Sequence, residues 1–270
     1  MNNKIIVFTK PWQKQTLEEL AVMVKKMGFD GVELPVREDY QVTPKNVSTE
    51  LVKANKIFNE HGLKIVSIAG SMETEVIEAM GKCGIGILRI CYPIDMKMGY
   101  TKSEVSFVDK VQELQSVLLR NKVKIGLQNH FNDFIGSAIG LEHALSQVSE
   151  KVSGAVLDFA HCGLAGERID IAYDIIKKRN IMINMKNAFW FRLNGPDEEE
   201  AKWEVNWVTA RHGLFSWKEA ISILRKDNYE GIICITAEYN QISGKDLMMD
   251  DEAKERTMKD LKYLKELLKD

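Results

Sequence analysis

The sequence predicts a closed barrel of eight parallel strands alternating with helices, formed by a single domain over residues 1–270. The length of 270 residues is close to the ~250 typical of such (β/α)₈ (TIM) barrels. Strand-like apolar runs alternate with amphipathic runs along the whole chain, and no low-complexity linker interrupts them. Several apolar runs in the second half end in polar residues, as barrel strands do around a binding site. A doubly wound open sheet shares the alternation and stays an alternative.

Eight segments have the nearly continuous apolar character of strands buried on both faces. They are Lys4 to Phe8, Gly31 to Val36, Leu63 to Ala69, Gly86 to Tyr92, Val123 to Gln128, Gly154 to Asp158, Ile181 to Met185 and Gly231 to Ala237. Short connections with similar glycine spacing precede several of them, including Gly28-Phe-Asp-Gly31 and Asn228-Tyr-Glu-Gly231. This weak recurrence favours a fold of repeated units.

Amphipathic segments between the strands predict the surrounding helices. In the first of them, Thr16 and Glu19 have the spacing of a capping box, and Gly28 marks the helix end. Two long helices are predicted around Ser103 to Arg120 and Asp251 to Leu268. Two stretches are expected to be irregular loops that wall a binding site, Asn187 to Trp207 and Tyr239 to Met249.

Composition excludes several classes of protein. A hydrophobic content of 45% suffices for a large core, and a net charge of −2 gives no electrostatic footprint for nucleic acid. The four cysteines contain no Cys-x-x-Cys pair, which favours reduced thiols. The N-terminus enters a strand without a signal-like region, and no apolar run approaches the ~18 residues of a membrane span. We therefore expect a cytoplasmic protein with neither nucleic-acid nor membrane partners.

The polar residues at the ends of four predicted strands are the strongest functional indication. The segments are Ile125-Gly-Leu-Gln-Asn-His130, Ala155-Val-Leu-Asp-Phe-Ala-His161, Ile181-Met-Ile-Asn-Met-Lys-Asn187 and Ile232-Ile-Cys-Ile-Thr-Ala-Glu238. Because the carboxyl ends of barrel strands meet, we expect Gln128, Asp158, Asn184 and Glu238 to surround one site. Side chains of this kind bind metal ions or sugar hydroxyls.

The motifs within these segments resemble those of the sugar phosphate isomerase/epimerase family with the xylose isomerase-like barrel. Leu157-Asp-Phe-Ala-His161 is similar to its Asp-x-x-His, and Leu127-Gln-Asn-His130 to its Glu-x-His. Asn184-Met-Lys-Asn187 is similar to its His-x-Lys-Asp, and Glu238 to its terminal glutamate. The resemblance implies a divalent ion held by Glu, Asp, His and Glu, with the two glutamates flanking the sugar carbon that exchanges a proton.

Three departures from the family motifs remove ionisable groups. Gln128 replaces a glutamate, Asn184 a histidine and Asn187 an aspartate. A ligand set of Asp158, Glu238, Gln128 and Asn184 offers only oxygen atoms, so it favours Mn²⁺ or Mg²⁺ and predicts weak or absent binding. An amide does not accept a proton at neutral pH, so Glu238 remains as the only candidate base of the pair.

Other polar residues are candidates with competing structural explanations. His161 and Lys186 are candidates for catalysis; the less favoured alternatives are a core histidine at 161 and an outward, solvated lysine at 186. Asp158 is also a plausible helix N-cap. The candidates for substrate binding are Glu33, His130, Arg192 and Trp190. Glu33 alternatively pairs with Arg37, and helical packing explains Trp203 and Trp207 as well as a sugar-covering role does.

Two functional hypotheses follow from these residues. The first is an enzyme that abstracts a proton next to the carbonyl of a small sugar or polyol, with an enediolate stabilised by an ion or by Lys186. It acts as an isomerase or epimerase if His161 or His130 returns the proton, and as a dehydratase or lyase if one base suffices. The second is a catalytically impaired barrel that binds a sugar-like ligand or supports a partner subunit. Homo-oligomers are compatible with both.

Overall fold

Eight parallel strands close into a barrel in a computed structural model that describes residues 1–240 and 246–269. The barrel strands are β1 (Ile5–Phe8), β2 (Gly31–Pro35), β3 (Lys64–Ala69), β4 (Ile87–Ile90), β5 (Lys124–Gln128), β6 (Ser153–Asp158), β7 (Asn180–Met185) and β10 (Ile232–Ile235). Their order around the barrel is β1-β10-β7-β6-β5-β4-β3-β2. The predicted fold class is therefore confirmed, and each predicted strand is present with slightly different ends.

Helices connect and surround these strands. They are α1 (Leu17–Met27), α2 (Val47–Glu60), α3 (Thr74–Cys83), α4 (Tyr100–Asn121), α5 (Ala138–Ser146), α6 (Phe159–Leu164), α7 (Ile169–Ile176), α8 (Trp217–Lys226) and α9 (Asp250–Lys269). The two long helices predicted from the sequence correspond to α4 and α9. Within the described residues, no helix has both the length and the apolar character that a membrane crossing requires.

The first unit shows how local sequence sets the ends of a helix. The Thr16 side chain accepts a hydrogen bond from the backbone of Glu19, whose carboxylate accepts one from the backbone of Thr16. This reciprocal pair satisfies backbone donors that the helix start leaves free. At the other end, Gly28 adopts φ +87°, the left-handed conformation that glycine reaches without a Cβ clash. The predicted capping box and stop are both present.

A two-stranded hairpin replaces the first predicted irregular stretch. Strands β8 (Asn187–Arg192) and β9 (Trp203–Val208) pair antiparallel, with Ala188 opposite Trp207. The expectation of an irregular loop was wrong, because the aromatic and β-branched residues in both segments favour strands. Trp203 and Trp207 thus lie on a strand, which excludes helical packing. The second stretch includes residues 241–245, which lie outside the described residues.

The barrel interior has an apolar layer beneath a polar one. Along β1, Val7 packs in the large core between strands and helices, whereas Ile6 and Phe8 point into the barrel. Ala69, Val156, Met182 and Cys234 complete this inner cluster. Polar side chains fill the space toward the carboxyl ends of the strands, where the inner apolar layer forms a floor. The candidate site therefore lies at the end of the barrel that the sequence predicts.

Candidate active site

A small cavity of about 100 Å³ lies at the carboxyl ends of the barrel strands. Its lining comprises Phe8, Lys10, Arg37, Arg89, Cys91, Gln128, His130, Asn184, Lys186, Thr236 and Glu238. A larger cavity of about 460 Å³ adjoins it and shares the lining residues Arg37, Arg89, Cys91 and His130. We call them the inner and outer cavities; together they offer room for a small polar molecule.

A buried ion pair anchors one side of the site. Glu33 on β2 and Arg89 on β4 are 0% and 5% exposed, and Arg89 Nε lies 2.8 Å from Glu33 Oε1. Ser67 also donates to Glu33, and Arg89 Nη1 donates to Gln128 Oε1 at 2.7 Å. Burial lowers the pKa of Arg89, but the Glu33 carboxylate outweighs it and raises the pKa above its ordinary value. Glu33 therefore pairs with Arg89, and the expected pairing with Arg37 is not observed.

Asp158 is the N-cap of α6, and it also contacts two side chains of the site, Gln128 and Lys186. Its Oδ1 accepts hydrogen bonds from the backbone N–H groups of Ala160 and His161, so it caps α6. Its Oδ2 accepts from Gln128 Nε2 at 3.0 Å and lies 3.6 Å from Lys186 Nζ. Burial raises the pKa of Asp158 to about 6, against the opposing charge of Lys186. Asp158 does not line the inner cavity, which makes it a support for the groups that do.

Glu238 is held by two ammonium groups. Lys186 Nζ lies 2.6 Å from Oε2, and Lys10 Nζ lies 2.6 Å from Oε1. Burial raises the pKa of Glu238, but Lys186 and Lys10 outweigh it and hold the pKa well below its ordinary value. Lys186 also lies over the Trp207 ring, 4.2 Å from its centroid. This triad places a carboxylate and two ammonium groups side by side at the cavity.

The two histidines are neutral and have opposite tautomers. His130 Nδ1 lies 2.8 Å from the carbonyl oxygen of Phe131, so Nδ1 carries the proton and Nε2 keeps a lone pair. His161 Nδ1 accepts from the Phe131 N–H at 3.3 Å, so its proton is on Nε2. Burial and then Lys186 lower the pKa of both rings, that of His130 to about 4. Neither histidine is protonated at neutral pH.

The expected metal ligands do not fit a divalent ion in this arrangement. The Lys186 ammonium already lies between the carboxylates of Asp158 and Glu238. Gln128 presents its amide nitrogen to Asp158 and gives its oxygen to Arg89, so its oxygen does not face a shared centre. A second cation there would meet the charge of Lys186 at short range. Among the described residues, no group of three or more His, Cys, Asp or Glu has the arrangement to hold a metal.

Two buried polar side chains at the inner cavity lack partners. Asn184 is 0% exposed, and neither its amide nitrogen nor its oxygen makes a hydrogen bond within the described residues. Thr236 is 2% exposed, and its hydroxyl is likewise unpaired in residues 1–240 and 246–269. A buried polar group without a partner costs about 1–3 kcal/mol. These atoms are therefore suited to bind a polar ligand in the cavity.

The β8–β9 hairpin forms an aromatic cover over this end of the barrel. Phe131 packs edge-on against Trp190 and Trp207, with ring centroids 5.8 Å apart in both cases. The Trp190 indole N–H donates to the carbonyl oxygen of Leu164, which fixes the ring. The donors of Arg192 bind Asn194 and backbone carbonyls of the hairpin loop. Arg192 thus organises the hairpin and does not line either cavity.

Asn187, at the start of the hairpin, has a structural environment. Its side-chain nitrogen donates to the carbonyl oxygens of Ala210 and Phe215, both at 2.8 Å. A Cβ at Gly213 would lie 1.9 Å from Asn187 Oδ1, so only glycine allows this approach. The motif residue Asn187 therefore holds the segment that leads into α8.

Lys10, Arg37, Arg89 and Thr236 belong to the site but were not identified from the sequence. Lys10 and Arg37 each lie two residues after the end of a barrel strand, β1 or β2, as His130 does after β5. For Lys10 and Arg37, a charged residue shortly after an apolar run was the available indication of a functional role. For Arg89, the indication was a charged residue within the apolar run of β4.

The sequence profile of the xylose isomerase-like TIM barrel family matches residues 22–267. The chain belongs to this family. Similar solved structures include D-psicose 3-epimerase from Clostridium cellulolyticum H10, with 14% identity, coverage of 98% of this chain and 99% of that chain, and a TM-score of 0.75. The 3-keto-D-glucoside 4-epimerase YcjR from E. coli has 14% identity, coverage of 98% and 99%, and a TM-score of 0.70.

A third similar structure is the probable 3-DHS dehydratase AsbF from Bacillus anthracis. It has 13% identity, coverage of 97% of this chain and 98% of that chain, and a TM-score of 0.70. At these identities the likeness shows a shared fold. A comparison with curated protein sequences finds no match.

Proposed function

We propose that the chain is an enzyme that moves a proton at the carbon next to a carbonyl in a small sugar-like compound. The contact of Glu238 with Lys186 and Lys10 carries this proposal, because it joins a potential base to two cations at a cavity. Family membership supports a sugar isomerase- or epimerase-like activity. The similar structures include two epimerases and a probable dehydratase, which gives further support.

In this proposal Lys186 and Lys10 stabilise the enediolate oxygen that develops as the proton leaves. Fixed cations in a site that excludes water lower the energy of such a charge effectively. When their N–H groups turn toward the substrate oxygen, they withdraw from Glu238, and its pKa rises toward the ordinary value. Substrate binding therefore activates the Glu238 carboxylate as a base. The mechanism uses no step through a metal ion, since the donor set does not fit one.

The site favours chemistry with a single base. Gln128 also lines the cavity, but its amide does not take up a proton. His130 has its pKa lowered to about 4 by burial, so it does not deliver a proton at neutral pH. Glu238 must then both remove and return the proton. Aldose–ketose isomerisation on one face of an enediolate, or an elimination, meets this condition, whereas two-base epimerisation does not.

A solvent-exchange experiment tests the proposal. Keto-sugars are incubated with the protein in D₂O, and loss of the proton next to the carbonyl is followed by NMR. We expect exchange with the wild-type chain, and a loss of at least about a hundredfold in Glu238→Gln, in line with the 10²–10⁴-fold usual for a general base. Glu60→Gln, which changes an exposed glutamate on α2, is the matched control and should keep full activity.

A binding protein without turnover is the second candidate. The observation that favours it is the low proton affinity of Glu238 beside two ammonium groups. Calorimetry, which measures binding, and the NMR exchange experiment together separate the two candidate functions. Binding of a keto-sugar without proton exchange, or full exchange in Glu238→Gln, contradicts the enzyme proposal. Exchange that persists unchanged in the presence of EDTA supports the part of the proposal that assigns the cationic role to Lys186.

A further inference from the structure

The inner cavity carries more positive than negative charge. Of the described residues that line it, four are cationic and one is a carboxylate: Lys10, Arg37, Arg89, Lys186 and Glu238. Two further carboxylates, Glu33 and Asp158, lie behind this lining and pair with Arg89 and Lys186. Within the part of the chain that the structure describes, four cations therefore meet three carboxylates, which leaves one positive charge uncompensated.

Arg37 is the cation without a counterion. It lines both cavities but makes no ion pair with a carboxylate among the described residues, and its guanidinium lies 5.7 Å from the Phe8 ring centroid. Arg37 as a whole residue is exposed, but the partial desolvation of its guanidinium beside the cavity, and then the charge of Arg89, lower the pKa of Arg37 below its ordinary value. A negative group bound between the two arginines would remove this repulsion. A guanidinium is also well matched to the paired oxygens of carboxylate and phosphate.

Arg89 and Ser71 add free donors beside Arg37. The hydrogen bonds of Arg89 use Nε and Nη1, and its Nη2 makes none within residues 1–240 and 246–269. Ser71 lines the outer cavity with both arginines, and its buried hydroxyl has no partner in the described part of the chain. Arg37 and Arg89 Nη2 at the junction of the cavities, and Ser71 in the adjoining outer cavity, thus offer donors that no carboxylate among the described residues accepts from.

We propose that the substrate bears an anionic group, a carboxylate or a phosphate, which Arg37, Arg89 and Ser71 bind where the two cavities meet. The inference rests on the proposed function, because it takes the inner cavity as the place of the reacting carbonyl. Asn184 and Thr236 then bind hydroxyl groups between the anionic group and the carbon that reacts beside Lys186 and Glu238. The substrate class is an acidic or phosphorylated keto-sugar.

Calorimetry with three ligands tests the anionic group. D-fructose is neutral, D-fructose 6-phosphate carries a phosphate, and 2-keto-D-gluconate carries a carboxylate. Because hydrogen bonds to a charged group are stronger than those to a neutral one, at least one anionic ligand should bind about tenfold or more tightly than D-fructose. The ligand with the tighter binding identifies phosphate or carboxylate as the anion. The preference should fall as salt is raised.

Variants locate the binding to Arg37. In Arg37→Gln the affinity for the preferred anionic ligand should fall about tenfold, so that the preference over D-fructose is largely lost. Arg120→Gln, an exposed arginine that pairs with Glu78, is the matched control and should bind all three ligands as the wild type does. Equal affinity for neutral and anionic ligands, or an anionic preference that survives Arg37→Gln, overturns the inference. Failure of both anionic ligands and inorganic phosphate to bind also overturns it.

Proton exchange separates this inference from the proposed function. If a neutral keto-sugar exchanges its proton in a Glu238-dependent manner and the anionic ligands bind no better, the anionic substrate class fails and the enzyme proposal stands. If an anionic ligand binds through Arg37 and never exchanges its proton, the binding of an anionic ligand stands and the enzyme proposal fails.

Discussion

The first half of the barrel (β1 to β4) and the second half (β5, β6, β7 and β10) contribute different chemistry to the same cavity. The ends of β1, β2 and β4 supply the cations Lys10, Arg37 and Arg89. The later strands supply the base candidate Glu238 and its ammonium partner Lys186. In our proposal the first half therefore binds and orients an anionic substrate, and the second half carries out the proton transfer. A search for catalytic motifs detects only the second half, because charge recognition requires no fixed spacing.

The largest expected effect is on the free energy of unfolding. It distinguishes the Glu33–Arg89 pair of the first half from the Lys186–Glu238 pair of the second half. Arg89→Met leaves Glu33 buried and unpaired, so it should lower the free energy of unfolding by about 3–5 kcal/mol. Lys186→Met should cost less, because Glu238 is 13% exposed and keeps Lys10 as a partner. Chemical denaturation measures both. The double variant Glu33→Leu/Arg89→Met should recover most of the loss, since an apolar pair leaves no buried charge. A loss below about 1 kcal/mol in Arg89→Met would contradict a structural role for the first-half pair.

The sequence predicted the barrel and the polar residues at the strand ends, but not which side chains form hydrogen bonds with one another. The run from Ile181 to Met185 predicted β7 because a strand buried on both faces is continuously apolar. That Gln128 turns its nitrogen to Asp158, however, follows from the position of Arg89 on a neighbouring strand. Such orientation depends on contacts between residues far apart in the chain. The hairpin was missed for a related reason, as its strands pair with each other outside the barrel.

A second prediction concerns the position of Lys186 between two carboxylates. The variant Gln128→Glu/Asn184→His restores the ligand types that the family resemblance implies, but the ammonium remains. Adding Lys186→Met removes the competing charge, so the triple variant should bind Mn²⁺ at least about tenfold more tightly than the double variant. Titration calorimetry compares them directly. Equal affinity in the two variants would show that Lys186 moves aside at little cost.

A third prediction uses a buried carboxyl group behind Glu238. Asp260 accepts hydrogen bonds from the Tyr239 hydroxyl and the Ala210 N–H, both at 2.9 Å, and so holds the segment that carries Glu238. Burial raises the pKa of Asp260 from 3.8 to about 7. Between these values the folded state binds a proton that the unfolded state releases, so this contribution to stability is present at low pH and is lost as pH rises to about 7.

Asp260→Asn isolates that contribution. The difference in unfolding free energy between wild type and variant should change by up to about 1.4 kcal/mol per pH unit within the window, and it should become constant above it. Urea denaturation at several pH values measures the difference. Because Arg89 and Glu33 are absent from this network, the stability loss in Arg89→Met should not share this pH dependence. A pH-independent difference would show that Asp260 is ionised throughout.

The smallest effect concerns the backbone that positions Glu238. Ala237 is buried and adopts φ +53°, a conformation that costs a residue with a Cβ about 1–2 kcal/mol. Ala237→Gly relieves that strain but loses about 0.8 kcal/mol from the buried methyl group and about 0.5–1 kcal/mol of chain entropy. These terms nearly cancel, so we expect stability within about 0.8 kcal/mol of the wild type.

Ala69 in the first half is the matched control for Ala237. It is also buried at a strand end, but its φ is not positive, so Ala69→Gly gains no relief and should lose about 1.3–1.8 kcal/mol. Equal losses in the two variants would show that Ala237 stores no strain. If the losses differ as expected and Ala237→Gly also slows proton exchange, the strained backbone serves to direct Glu238 toward the substrate. The first half then binds through side-chain charge, whereas the second half depends on an accurately placed carboxylate.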